Sequence, residues 1–335
     1  MNSTPQPPEA QMMQFILSKW ISKPINVAAE LGLADLLADG PLSAAELADR
    51  SHCHAPSLYR LLRALACVGI FCQHDDERFE LTPLGACLRK DAMGPLAKMF
   101  QAKWHNRAWD ELLYGVQTGE VAFDKAHGES IFSFFKHNPQ AADVFNQANA
   151  GKAARVYQAL VKNYDFTGID LLVDMGGGVG TLMVQVLCAF PEMQGVLAEQ
   201  AEVALDAQKM IQKVGISNRC QVVTCDFFEA VPPGGDAYLM ANILHDWEDE
   251  ACTQILKNCR HAIQPGGKIL VLDGVINAGN DFSIVKLLDL EVFVMGGGRE
   301  RSENEFKILF ESTGFELTQV LPIDDSVALI EGIRR

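Results

Sequence analysis

The sequence predicts an α/β chain built on a parallel sheet, preceded by a smaller and mainly α-helical module. Three observations carry this. Short apolar runs end four times in a carboxylate, at Asp174, Glu199, Asp226 and Asp273. Helix-length segments separate those runs, the alternation that gives parallel strands with right-handed crossovers. The first ninety residues instead show helical periodicity broken by one short hairpin pattern.

Within the early module, Ser43-Ala44-Ala45-Glu46 has the spacing of a capping box at a helix start. A second helix follows with Leu58, Leu61, Leu62 and Leu65 on one face. Next comes a hairpin, Gly69–Cys72 and Arg78–Leu81 around the acidic turn Asp75-Asp76-Glu77. Helix, turn, helix and wing describe a winged-helix module. Between Pro41 and Lys90 six basic residues balance six acidic ones, and only Arg60 and Arg63 stand on the would-be recognition helix. A DNA-reading face needs more positive charge than that, which argues against a transcription regulator. The apolar stretch from Met12 to Leu37 calls for burial against a second copy. The polar, proline-rich residues 1–10 read as a disordered tail.

In the later part, Leu171–Met175 is a strand and Gly176-Gly177-Gly178-Val179-Gly180 a tight turn, followed by an amphipathic helix from Leu182 to Phe190. Strands end at Glu199, Asp226 and Asp273, with helices over Ala204–Val214 and Asp249–Ile263. Ligands of such sheets bind at the carboxyl ends of the strands, so four carboxylates converge on one crevice. An Asp at a strand end often only caps the next loop, but four in a row are hard to read that way. The glycine run lacks the lysine and hydroxyl of a phosphate-cradling loop, and its Gly-Gly-Gly-x-Gly spacing departs from the dinucleotide pattern. Glu199 is placed for ribose hydroxyls and Asp226-Phe227 for an adenine, a set that suits S-adenosylmethionine better than a nicotinamide dinucleotide.

Val173–Gly180, Asp226-Phe227-Phe228, Ile243-Leu244-His245-Asp246-Trp247 and Gly297-Gly298-Arg299-Glu300-Arg301 occur in one order. Together they resemble the small-molecule O-methyltransferases, the family of plant caffeate and flavonoid, hydroxyindole and bacterial natural-product enzymes. The resemblance implies residues 11–100 as a winged-helix-like dimerisation domain. It implies residues 101–335 as a Rossmann-like methyltransferase domain that includes a helical substrate-pocket region. It also implies a homodimer, S-adenosyl-L-methionine as methyl donor with S-adenosyl-L-homocysteine as product, and no metal. Gly176, Gly177, Gly178, Glu199, Asp226 and Phe227 are expected to bind the cofactor. His245 is expected as general base with Asp273 and Glu300 holding its ring, and Asn149, Phe293 and Met295 as pocket lining.

The residue types fit the chemistry. Methyl transfer from a sulfonium is an in-line displacement, and a neutral phenol is a poor nucleophile. An imidazole can remove the hydroxyl proton as the bond forms. It does so only in the right tautomer, which a carboxylate on its other nitrogen fixes. Three readings compete with this one. Asp246 reads first as a cap of the following helix. Glu300, in the charged run Arg299–Glu305, reads as part of a solvated face, and only the resemblance promotes it. Some proteins of this fold bind S-adenosylmethionine without methylating anything; the complete set His245, Asp273 and Glu300 argues against that here. The chain departs from the family at Ala241, where relatives carry a cation, at Asn149 for a methionine, and at Cys225 for a glycine. Whether oxygen is the only nucleophile stays open.

A net charge of −15 disfavours nucleic acid and anionic membranes as partners. No apolar run is long enough for a transmembrane helix. Nine cysteines without a Cys-x-x-Cys pair read as reduced thiols of a cytoplasmic protein, with Cys67, Cys188 and Cys259 as small core residues. His52-Cys53-His54 reads as a loop rather than a metal site.

Overall fold

The computed structural model describes residues 7–335. It forms two compact units. One takes in the chain up to Asp110 together with Phe132–Lys152; the other holds Glu111–Ile131 and Ala153–Arg335. The boundary expected near residue 101 is therefore not a single cut: residues 111–131 fold with the later part, and the helix Pro139–Asn163 contributes to both units.

In the first unit, residues 1–6 of the expected tail lie outside the described residues, but Pro8 starts a helix that runs to Ile16. A proline at the first helical position carries the right φ and needs no amide partner. Met12, Met13, Phe15, Ile16 and Trp20 are exposed on this helix and the next, Lys19–Glu30. The capping box forms: Ser43 N–H donates to Glu46 Oε2 at 2.7 Å and Glu46 N–H to Ser43 Oγ at 3.2 Å, opening the helix Ala44–Ser51. His52 closes that helix in a left-handed conformation at φ 55°, so His52-Cys53-His54 is a turn. Helix Ala55–Ala66 buries Leu58, Leu62 and Leu65, with Leu61 at the margin. Strands β1 (Leu42–Ser43), β2 (Phe71–Gln73) and β3 (Arg78–Leu81) make an antiparallel sheet in the order β1-β3-β2. Arg63 lies over the Tyr59 ring rather than joining a basic face.

The second unit carries β4 (Leu171–Met175), β5 (Gln194–Glu199), β6 (Cys220–Thr224), β7 (Ala237–Ala241) and β8 (Lys268–Asp273). The short strands β9 (Val275–Ile276) and β10 (Arg301–Ser302) follow, then β11 (Phe315–Pro322) and β12 (Ala328–Arg334). The main sheet runs β11-β12-β8-β7-β4-β5-β6, parallel from β8 to β6 and antiparallel at β12 and β11. Both faces are covered, so neighbouring residues of one strand enter different cores: Leu172 and Leu239 one, Val173, Tyr238 and Met240 the other. Chain order reverses between β4 and β7. That switch point is where open α/β sheets bind ligands, and the glycine turn after β4 and the His245 turn after β7 both stand there.

Cys259 is buried as expected, whereas Cys67 and Cys188 are exposed. Cys188 lies on a helix that is apolar almost all round and Cys67 closes one, so periodicity does not decide which side either faces. No helix among the described residues is long and apolar enough to cross a membrane.

Candidate active site

Strand β4 delivers a buried carboxylate and then a turn only glycine can make. Gly176 and Gly178 sit at φ 66° and 56°, where a side chain is strained. At Gly177 the constraint is space: an added Cβ would stand 2.6 Å from Asp174 Oδ2. The turn is tied to β5 by Gly176 N–H donating to Ala198 O at 2.8 Å and Gly178 N–H donating to Glu199 Oε2 at 2.9 Å. Asp174 is 1% exposed, and neither oxygen has a hydrogen-bond partner among the described residues. Burial, and then the charge of Glu199, push its carboxyl up to about 7.

Asp226 is exposed, and its Oδ1 accepts Phe228 N–H at 2.9 Å in a tight turn. The turn is anchored by Asn258 Nδ2, which donates to the carbonyls of Phe227 and Phe228. Phe227 stacks edge-on to Phe228, and its ring edge lies 3.8 Å from where a Gly176 Cβ would be. Glycine turn, Glu199 and Phe227 thus border one crevice, with an orphaned buried carboxylate behind it. An acidic, glycine-floored crevice of this kind fits a cationic adenosyl ligand, so the residues present match S-adenosylmethionine.

The second half of the site follows β7. Leu244–Asp246 is a single 3₁₀ turn, and the next helix starts at Asp249 with Glu248 as its cap residue. Asp246 is therefore not a helix cap. Its Oδ1 lies 3.5 Å from His245 Nε2. On the other side of the ring, His245 Nδ1 lies 3.0 Å from Glu300 Oε1. A carboxylate only accepts, so this contact puts a proton on Nδ1 and leaves Nε2 as the ring nitrogen on the side away from Glu300. Glu300 is itself buried and aimed by its own N–H donating to Asp289 Oδ1 at 2.8 Å.

Asp273 differs from the expectation that two carboxylates hold the ring. It is fully buried at the end of β8, yet neither of its oxygens has a hydrogen-bond partner among the described residues. It acts on His245 through its charge. Burial lowers the imidazole pKa, but the fields of Asp273, Glu300 and Asp246 and the Glu300 hydrogen bond outweigh it and bring His245 up to about 10. Burial in turn raises Asp273.

Of the expected pocket residues, Phe293 and Met295 lie on helix Ile284–Gly296 of the second unit. The Phe293 ring packs against Gly115, where a Cβ would stand 3.2 Å from it. Asn149 belongs to the first unit, its Nδ2 donating to Phe145 O at 3.1 Å. There Trp104, Phe134, Phe135 and Phe145 pack on one another.

Sequence reasoning missed Arg301, only 1% exposed, because a charged run reads as solvated. It also missed why Gly298 is glycine. A Cβ at Gly298 would stand 2.0 Å from His245 O and 2.6 Å from the Asp246 carbonyl carbon, both backbone atoms. Gly298→Ala is expected to force these segments apart and destabilise the fold by about 1–3 kcal/mol. A lowered urea midpoint at unchanged m-value checks this; an unaltered midpoint would contradict the packing described.

Comparison with known proteins bears on the same two regions. A family model described as the O-methyltransferase domain matches residues 109–316, and one described as the O-methyltransferase dimerisation domain matches residues 13–91. The chain is 40% identical over 323 residues to a phenazine O-methyltransferase of Lysobacter antibioticus, covering 96% of this chain and 94% of that protein. The fold superposes on the solved mitomycin 7-O-methyltransferase with a TM-score of 0.91 at 36% identity, covering 98% of each chain. An O-methyltransferase from neocarzinostatin biosynthesis, solved with S-adenosylmethionine and 2-hydroxy-5-methyl naphthoic acid, gives a TM-score of 0.81 at 30% identity. That match covers 94% of this chain and 96% of the other.

Proposed function

Since this chain belongs to the O-methyltransferase family, we propose that it methylates a hydroxyl of a small aromatic metabolite with His245 as the general base. The observation that carries the reading is the His245–Glu300 contact: Nδ1 is committed to a buried carboxylate 3.0 Å away. That fixes the tautomer in which Nε2 accepts a proton from the acceptor hydroxyl as the oxygen attacks. Asp273 stabilises the imidazolium that results, by field rather than by hydrogen bond. Gly176, Gly177 and Gly178 would let the cofactor approach the main chain, Glu199 would take its ribose hydroxyls, and Asp226 with Phe227 its adenine. S-adenosylmethionine supplies the electrophilic methyl group. Phe293 and Met295 would meet the acceptor. A flat aromatic acceptor is favoured because one relative is named for phenazine and another was solved with a naphthoic acid.

The reading predicts that purified protein, given trideuteromethyl S-adenosylmethionine and a mixture of phenols, catechols, phenazines and naphthoic acids, adds a labelled methyl to a hydroxyl. Mass spectrometry reads the product, with His245→Ala alongside. Label on nitrogen would make a nitrogen, rather than a hydroxyl oxygen, the nucleophile. Label equally abundant with the variant would remove His245 from the chemistry.

A further inference from the structure

The segment after Gly298 holds the His245 turn in three ways with three successive residues. Arg299 N–H donates to His245 O at 2.8 Å. Glu300 holds Nδ1 of the ring. Arg301 grips the main chain on both sides of the histidine: Nη1 donates to Leu244 O at 2.9 Å and Nη2 to Trp247 O at 2.8 Å. Its fork is fixed in turn by Asp249 Oδ1, which accepts from Nε at 2.9 Å and Nη2 at 2.7 Å. The strand β10 that begins with Arg301 pairs in parallel with β9, placing Arg301 opposite Val275, two residues beyond Asp273.

We infer that Arg301 is a positioning residue for methyl transfer, a guanidinium clamp that fixes the His245 turn against Glu300 and Asp273. This rests on His245 being the base.

The physical argument is one of geometry and cost. A 3₁₀ turn of three residues has almost no hydrogen-bond ladder of its own, so its carbonyls need outside donors. A guanidinium presents five donors in a rigid plane and can serve two carbonyls and a carboxylate together; an ammonium, with three donors on one nitrogen, cannot reproduce the four bonds made here. Burying an arginine is expensive unless its donors are used, and here Asp249 and the carbonyls of Leu244 and Trp247 together accept four hydrogen bonds from it. Stabilisation alone would be met as well by an apolar side chain of similar volume. What an apolar chain could not do is hold Leu244 O and Trp247 O at a fixed separation around His245. A displacement of about 1 Å at a reacting group can cost ~10²-fold in rate.

The test uses the full-length protein, comparing wild type, Arg301→Lys, Asp249→Asn and His245→Ala. The charged and titratable groups facing His245 are Asp246 on its own turn, Asp273 at the end of β8 and Glu300 ahead of β10. With the turn released, the ring loses its Glu300 contact and the pKa moves back toward the ordinary histidine value. The expected result for Arg301→Lys is a kcat at least ~10-fold lower, with the cofactor Kd and acceptor KM within about 3-fold of wild type. The low-pH limb of kcat/KM should move to lower pH by about one unit or more. A loss of folded protein alone would lower activity without moving that limb. Asp249→Asn keeps the Oδ1 acceptor on an exposed side chain and removes only its charge, so it should show the same two changes in smaller measure. Wild-type kcat and an unmoved limb in both variants, while His245→Ala is inactive, would overturn the clamp and leave the base in place. Full activity in His245→Ala would overturn both.

Discussion

His245→Ala is expected to lower kcat by ~10²–10⁴-fold without weakening cofactor affinity. The ring touches Glu300 and neighbours Asp246 at its own turn, but the glycine turn follows β4 and Glu199 ends β5, so truncating it leaves the proposed cofactor crevice intact. Isothermal titration with the cofactor and single-turnover methyl transfer separate the two effects; equal losses in both would place the histidine in binding instead. The pH dependence supplies a second check. With its pKa near 10 in the free protein, the imidazole is largely protonated at neutral pH and unable to accept a proton. The value of kcat/KM for the cofactor should therefore climb through pH 8–10 rather than level off near 6.5. A sulfonium in the crevice opposes the imidazolium, so cofactor binding at pH 8 should release protons, measured as a buffer-dependent binding enthalpy. The sign for stability follows from the same shift. A histidine pKa raised by folding contributes stability that is complete below about 6.5 and is lost as pH rises toward 10. His245→Ala should accordingly lose more of its melting temperature, relative to wild type, at pH 6 than at pH 10.

Much of this site is legible in the sequence for a definite reason. A parallel strand covered on both faces is a continuous apolar run, so Asp174 and Asp273 stand out as the charges at its carboxyl end. The capping box at Ser43 is equally visible, because it depends on residues three apart. Strand β7 escapes the same reasoning: Ala237–Ala241 ends without a charge, and nothing local marks its carboxyl end as part of the crevice. The β11–β12 hairpin escapes too, since Phe315–Pro322 carries polar residues and a proline on an edge strand. Arg301 is the clearest case. Its neighbours in sequence are charged, and its carbonyl acceptors lie 57 and 54 positions earlier, so only the folded chain reveals that this arginine is inside. Asp246 shows the converse. An acid just before a helix reads as its cap, but the helix begins three residues later and the carboxylate is left beside the imidazole.

Asp174→Asn is expected to make the protein without cofactor more stable and the cofactor bind more weakly. The carboxyl is 1% exposed with no hydrogen-bond partner among the described residues, and folding raises it to about 7 from an ordinary value near 4. A raised carboxyl pKa means the charge opposes folding. The penalty is absent below about pH 4, grows as pH climbs from 4 to 7, and is constant above, where it amounts to the order of 2–4 kcal/mol. Removing the charge should return that stability at pH 8 and almost none of it at pH 4, a pattern that urea melts at the two values would reveal. Loss of a charged hydrogen-bond partner typically costs ~1.5–3 kcal/mol, or about 10–150-fold in Kd, so the variant should bind S-adenosylmethionine at least ~10-fold less tightly. The two results belong together. A buried carboxylate that weakens the empty fold persists where a cationic ligand compensates it, which is why an orphaned acid behind a glycine turn is itself a sign of the ligand. Unchanged stability at both pH values with unchanged cofactor affinity would mean that Asp174 is already satisfied in solution, and the crevice would then owe its selectivity to Glu199 and Phe227 instead.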